Sequence, residues 1–400
     1  MRVFFINSVC TSGSTGRIHM ELARMLNARG DEAKLAFARG GAPADQPYYR
    51  IGGPLDVYAH ALKARLFDAS GTGSRAATKK LVAHMEAYKP DLVQLGNLHG
   101  YYLNLPLLFD YLKKSNIPVV WTLHDCWAFT GHCAHFTDVN CARWKQGCFA
   151  CPKRGAYPQS LFFDRSKAVY QWKKAMFTSL NNLTLVAPSR WLDACLKESF
   201  LKDVPRCVIE NGVNLDIFRP KASGFKERCG LAGKKIALGV ATPWDRRKGL
   251  DDMIALSRRL PPEWTVVLVA LTERQIKKLP PNMLGLPRTE SAEALSDIYN
   301  AADVYVNPTY CDTFPTTNIE ALACGAPVVT YAAGGSPEAL TEKCGEAVPM
   351  GDIAALTAAV LGAPEKYSRQ ACAARGTAFS RGERFLPYLK LYDARVGGGE

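Results

Sequence analysis

No run of apolar residues in this 400-residue chain approaches the roughly 18 that a membrane-crossing helix needs. Residues 1–7 turn polar too soon for a signal peptide and read as a first strand, so the protein is expected in the cytoplasm. Dense arginine–aromatic stripes are missing too. The 50 basic residues are spread over both halves, which argues against a nucleic-acid partner. There is no Walker loop and no clean GxGxxG, so no single phosphate motif decides the function. Acid is the scarcer charge: 37 Asp and Glu leave a net charge of +13. That balance suits a phosphate-bearing substrate or an anionic membrane surface, and it also keeps a protein soluble.

What is present describes a globular protein. An apolar fraction of 48% with 22% charged residues excludes disorder, and the length suits two domains. Thirteen cysteines in a cytosolic chain are not a disulfide framework. Eight are scattered singly, as core fillers, and five lie between Cys126 and Cys151.

Along the chain, strand patterns alternate with helical ones. Strands are expected at 2–8, 33–38, 91–95, 118–123, 183–187 and 206–209, and helices at 16–28, 57–67, 75–88, 103–114, 166–179 and 189–199. A second round holds strands at 235–240, 265–270, near 284, 303–306 and 327–331, with helices after 250, at 273–279 and 292–301, and after 316. Repeated strand–helix alternation implies parallel, doubly wound sheets, hence two Rossmann-like domains. The domains are expected at 1–205, with a Cys-rich insertion at 126–160, and at 206–375. A helical tail at 376–400 is expected to pack back on the first domain.

Open parallel sheets bind ligands at strand C-termini, which marks three loops. The small-residue loop at 11–17 holds Gly16, where a backbone N–H can approach an anion. Arg246, Arg247 and Lys248 lie between a strand end and a helix start, as a pyrophosphate clamp or a solvated basic turn. Residues 312–331 hold Asp312, Thr316, Thr317, Asn318 and Glu320 at the entry to a helix. There an anionic, hydroxyl-rich ligand would place its polyol part on Glu320 and Asn318. The plain alternative is an acidic first turn that suits the helix dipole. His124 closes a central strand, where it either serves the site or caps the strand end.

Residues 126–160 break the alternation. A segment this long without periodicity buries little apolar surface, so it calls for a staple. Cys133, Cys141, Cys148 and Cys151, the last two a Cys-x2-Cys knuckle, can bind Zn²⁺ tetrahedrally. Structural zinc is favoured over an iron–sulfur cluster, with a redox pair or free thiols as the other readings.

Taken together, these residues are recognisable. Asp312-x7-Glu320 followed by Ala-Leu-Ala-Cys-Gly-Ala-Pro-Val-Val resembles the acidic signature of GT-B, family 4 retaining glycosyltransferases. The segments at 208–218, 13–17 and 247–249 resemble that family's inter-domain segment, glycine loop and donor-diphosphate loop. Residues 121–133 and the cysteine insertion resemble its colanic-acid and surface-polysaccharide branch. The resemblance implies a nucleotide-sugar donor and a growing glycan, often lipid-linked, at the inner face of the membrane. A small soluble acceptor, or sugar-nucleotide binding without turnover, are the alternatives. It further implies that Arg247 and Lys248 bind the diphosphate and Glu320 the ribose hydroxyls. Asp312, Thr316, Thr317 and Asn318 would lie by the donor sugar and phosphates, with Gly16 near the phosphates and His124 at the sugar. No cofactor is implied for catalysis. Two positions depart from the family pattern: Asp312 stands where Glu is common, and Pro243 stands where many relatives carry arginine.

Overall fold

The structure, a computed structural model, describes residues 1–397. Two compact units form, one from residues 1–209 with the segment beginning at Phe385, the other from Glu210–Arg384.

In the first unit the chain runs β1 (Arg2–Val9), α1 (Gly13–Ala28), β2 (Glu32–Arg39), β3 (Tyr48–Arg50), α2 (Pro54–Phe67), α3 (Arg75–Tyr88) and β4 (Leu92–Leu95). It continues through α4 (Leu105–Ser115), β5 (Val119–Thr122), α5 (Ser166–Phe177), β6 (Leu183–Ala187), α6 (Arg190–Glu198) and β7 (Arg206–Val208). The seven strands form one parallel sheet, ordered β3-β2-β1-β4-β5-β6-β7. The central strands β4, β5 and β6 are buried along their whole length, which is why they read as unbroken apolar runs. Helix α6 begins where expected, because the Ser189 hydroxyl accepts from the Leu192 N–H.

The second unit contains α7 (Phe225–Arg228), β8 (Lys235–Val240), α8 (Leu250–Ser257), β9 (Trp264–Val269), α9 (Glu273–Ile276), β10 (Met283–Leu286) and α10 (Ala292–Ala301). Then come β11 (Val304–Asn307), α11 (Thr316–Ala323), β12 (Val328–Tyr331), β13 (Gly345–Val348), α12 (Ile353–Lys366), α13 (Arg369–Thr377) and α14 (Arg381–Arg384). Its six strands are also all parallel, ordered β10-β9-β8-β11-β12-β13. The last helix, α15 (Leu386–Gly397), joins the first unit. Tyr388 and Tyr392 are buried against that unit's β1 and α1 residues, and the Tyr392 hydroxyl donates to Gln94 at 2.8 Å. No helix of the described residues is long and apolar enough to cross a membrane.

Three expectations change. Two short edge strands, β3 and β13, lie where no strand was expected. Helix α1 starts at Gly13, so most of the small-residue loop is its first turn. The insertion at 126–160 does bury apolar surface. It contains only short 3₁₀ turns, yet Trp127, Phe129, Phe136 and Trp144 are all under 8% exposed. Phe129 and Phe136 pack on the Trp144 ring at 5.1 and 5.0 Å. Aromatic side chains bury so much area each that four of them hold a segment with no periodicity.

Candidate active site

The second unit gathers its functional residues at the C-terminal ends of β8 and β11. After β8 the Asp245 carboxylate accepts from the Lys248 N–H at 3.0 Å, which folds Arg246–Lys248 into a single 3₁₀ turn. Gly249 closes that turn at φ +74°, where a Cβ would stand 2.3 Å from the Pro308 carbonyl oxygen. Only glycine lets the basic turn lie this close to the loop after β11. The turn then points its cations at that loop. Lys248 Nζ lies 2.5 Å from Asp312 Oδ2, and the Arg247 guanidinium donates to the Cys311 carbonyl at 3.4 Å. The Arg247 carbonyl in turn accepts from the Tyr310 N–H at 2.9 Å. Arg246 is exposed.

The Asp312 loop is held from its other side by the turn after β12. The Asp312 carbonyl accepts from the Gly335 N–H at 3.0 Å, and Gly334 sits at φ +60° beneath it. Helix α11 starts at Thr316 behind Pro315, with no side-chain cap and no acid in its first turn. The acidic-first-turn reading therefore falls: Glu320 is one turn further in and only 6% exposed. The Tyr299 hydroxyl donates to Glu320 Oε2 at 3.1 Å. An uncapped helix start following a loop that meets two cations has the field and the free N–H groups to hold an anion. Thr316 and Thr317 lie on that first turn, half-buried. Asn318 does not face outward. It is fully buried, accepting from Asn307 Nδ2 at 2.8 Å and donating to the Ser336 carbonyl at 2.9 Å, so its amide ties β11 to the turn after β12.

In the first unit, Gly16 is in α1 and buried. A Cβ there would stand 2.2 Å from the Cys10 carbonyl oxygen, so glycine is needed for the helix to approach the end of β1. His124 follows β5 and is half-buried with its Nε2 shielded from water; that desolvation lowers its pKa to about 4, so the imidazole is neutral at pH 7. Two neighbours were not anticipated. His19 on α1 lies with its ring centroid 6.3 Å from that of His124, in room left by Gly96, where a Cβ would stand 2.5 Å from His19 Cε1. His99 pairs with Asp125, Nε2 to Oδ2, at 2.6 Å, and the Tyr157 hydroxyl is 2.9 Å from its other nitrogen. Burial alone would raise the Asp125 pKa, but the charge and hydrogen bond of His99 hold it far below the usual carboxylate range. A sequence signal for His19 did exist, since it keeps helical spacing with the buried Leu22, Ala23 and Leu26.

Comparison with known proteins decides the family. Residues 15–217 match the family described as Glycosyltransferase Family 4, and residues 234–364 match Glycosyl transferases group 1. The first match alone covers more than half of the chain. The protein belongs to glycosyltransferase family 4. One relative, from Escherichia coli (strain K12) and named for colanic acid biosynthesis glycosyl transfer (WcaC), is 25% identical over 274 residues. The match covers 65% of this chain and 64% of that protein. A D-inositol 3-phosphate glycosyltransferase of Mycobacteroides abscessus is 28% identical over 149 residues, 34% of this chain and 33% of its own. The family 4 chain thus spans less than two thirds of the length of these curated relatives. Among solved structures, sucrose-phosphate synthase from Thermosynechococcus elongatus superimposes with a TM-score of 0.76 at 20% identity, covering all of both chains. HepE of Anabaena, solved in complex with UDP-glucose, gives 0.70 at 15% identity over 98% of this chain and 100% of its own. At these identities the likeness is one of fold, and the fold class is GT-B.

Burial gives this family 4 protein a testable acid response. His19, His60 and His124 are held neutral by burial, with pKa values lowered to about 3, 4 and 4. A depressed histidine contributes stability that is complete above its unfolded pKa of about 6.5 and is lost as pH falls toward the folded value. The first unit should therefore melt at progressively lower temperature between pH 6.5 and 4. A melting temperature constant across that range would contradict the burial of these rings.

Four of the insertion's five cysteines, the candidate metal ligands, do share one place. Cys133, Cys141, Cys148 and Cys151 line a single cavity together with His132 and Trp144. Cys133 and Cys151 hydrogen-bond to each other, and the Cys148 sulfur accepts from the Gly131 N–H at 3.1 Å. No group of three or more His, Cys, Asp or Glu among the described residues is arranged to hold a metal ion. The aromatic packing and the buried Lys173, which donates to the Trp127 and Thr130 carbonyls at 2.7 and 3.1 Å, bind the insertion to α5.

Proposed function

We propose that this chain is a retaining glycosyltransferase that moves a sugar from a nucleotide donor onto a growing surface polysaccharide or lipid-linked glycan, at the cytoplasmic face of the membrane. One observation carries the reading. Lys248 and Arg247 converge with the uncapped start of α11 and the nearly buried carboxylate of Glu320. A pyrophosphate suits the cations and the helix N–H groups, while a buried carboxylate with a tyrosine partner suits a ribose diol. The names of the relatives support the substrate classes: colanic acid for the acceptor, and the UDP-glucose complex of HepE for the donor.

In the proposed reaction the anomeric carbon–oxygen bond to the leaving diphosphate breaks as the acceptor oxygen bonds the same face. The acceptor hydroxyl proton passes to the departing phosphate oxygen. Lys248 and Arg247 stabilise the charge that develops on that oxygen. Asp312 orients Lys248. No step runs through a metal.

The test is thermal stabilisation by a panel of UDP-, GDP- and ADP-sugars, followed by analysis of the product. One donor class should raise the melting temperature, by an amount that grows with its concentration. No shift with any of them would overturn the donor site. A product anomer inverted relative to the donor would overturn retention.

A further inference from the structure

One face of the first unit is unlike the rest of its surface. Helix α2 buries only His60 and Ala64, and it leaves Leu55, Tyr58 and Leu62 at 84, 72 and 58% exposed. Their i, i+3, i+7 spacing puts them on one side of the helix. A second exposed apolar group stands at the helix end. Phe67 stacks on Phe163 at 6.2 Å between ring centroids, and the two are 52% exposed each. The loop carrying Phe162, 66% exposed, is tied to α2 by the Leu161 N–H, which donates to the Arg65 carbonyl at 2.8 Å. Single exposed apolar residues are ordinary, but six large ones on one helix and the loop tied to it mark a contact surface.

The charges around it decide what it contacts. Lys63, Arg65, Arg154, Arg165 and Lys167 are exposed or rimming it, and none forms an ion pair within 4.0 Å among the described residues. The five cations outnumber the three nearby acids: Asp56, which accepts from the Gly53 N–H at 2.8 Å, Asp68, which accepts from the Arg165 N–H at 2.7 Å, and Asp164, which accepts from the Cys151 and Ser166 N–H groups at 2.6 and 2.9 Å. We infer that the face formed by α2 and the loop at 161–163 docks on an anionic lipid bilayer. Leucine and aromatic rings enter the headgroup boundary while long basic side chains reach the lipid phosphates. The inference deepens the proposed function by placing the enzyme where a lipid-linked acceptor would be. It can fail without that function failing, because vesicle binding is measured without a sugar donor.

The experiment is co-sedimentation of the full chain with phosphatidylcholine vesicles, with and without phosphatidylglycerol. Binding is expected to the anionic vesicles only and to weaken with salt. The L62S/F162S/F163S variant should bind at least about tenfold more weakly, with an unchanged melting temperature and unchanged donor-induced stabilisation. K63A/R65A should weaken binding less and flatten its salt dependence. Failure of the wild type to bind anionic vesicles at low salt, or full binding by the triple variant, would overturn the inference. So would a self-association, without lipid, that the triple variant abolishes, because the face would then belong to a second copy of this chain.

Discussion

Lys248→Ala is expected to lower the transfer rate by about 10²–10³-fold while leaving the protein folded. The side chain is 15% exposed and its ammonium stands 2.5 Å from Asp312, so its charge is held in place before any ligand arrives. An electrostatic group fixed at the position where charge develops needs no rearrangement during the reaction, which is why its removal acts on rate more than on fold. The ion pair itself contributes little to stability, on the order of 1 kcal/mol or less, because both groups keep some access to water. The variant should thus melt within a few degrees of the wild type and lose most of the stabilisation given by the nucleotide sugar. Lys248→Arg should recover only part of the rate, since a planar guanidinium cannot take the place of a compact ammonium beside Asp312. Wild-type transfer in Lys248→Ala would remove this residue from the site.

Gly334→Ala is expected to damage fold and site together. The residue has φ +60°, and a Cβ would stand 2.1 Å from the Asp312 carbonyl oxygen. The left-handed conformation alone costs a non-glycine residue about 1–3 kcal/mol, and the clash is with backbone, which cannot rotate away. Either the Gly334–Gly335 turn or the Asp312 loop must shift. The same carbonyl accepts the Gly335 N–H at 3.0 Å, so a shift breaks that bond and carries Asp312 away from Lys248. We expect a destabilisation of at least about 3 kcal/mol, read as a lowered denaturation midpoint, together with loss of transfer. Gly30→Ala is the control. Its φ is +92°, but no atom lies within 4 Å of the added Cβ, so it should cost stability without touching transfer. Native stability and native transfer in Gly334→Ala would contradict the clamped loop.

The two expectations differ in how far the sequence supports them. Lys248 stood out as part of a basic run between a strand and a helix. Its partner did not, because 64 residues separate it from Asp312 and only the parallel pairing of β8 with β11 brings their loops together. The same holds for Asn318, which the pattern placed toward a ligand. The fold spends its amide on Asn307 and Ser336, a bond set that depends on β11 and β12 being neighbours. His19 near His124 likewise depends on the strand order, in which only β4 separates β1, which leads into α1, from β5.

Errors in the elements have their own cause. Strands β3 and β13 are the outer strands of their sheets, three and four residues long, and each pairs on one side only. With little burial on their free side they carry no strong apolar run for the sequence to display. Helix α1 begins at Gly13 because its first turn is packed against the end of β1, a tertiary contact that overrides the low helix propensity of glycine and serine. The insertion at 126–160 misled for the opposite reason: aromatic residues bury area without periodicity, so a pattern test sees a loop where the fold has core.

By itself the sequence determined the class of fold, two doubly wound parallel sheets, and which strand-end loops carry the candidate site residues. Both follow from local periodicity, since strands buried on two faces and amphipathic helices announce themselves in short windows. The tertiary structure alone decided which of those residues meet: Lys248 with Asp312, Glu320 with Tyr299, His19 with His124, and α2 with the loop at 161–163. Such meetings are set by strand order and by which glycine lets two backbones touch, and neither quantity is written in any one stretch of the chain.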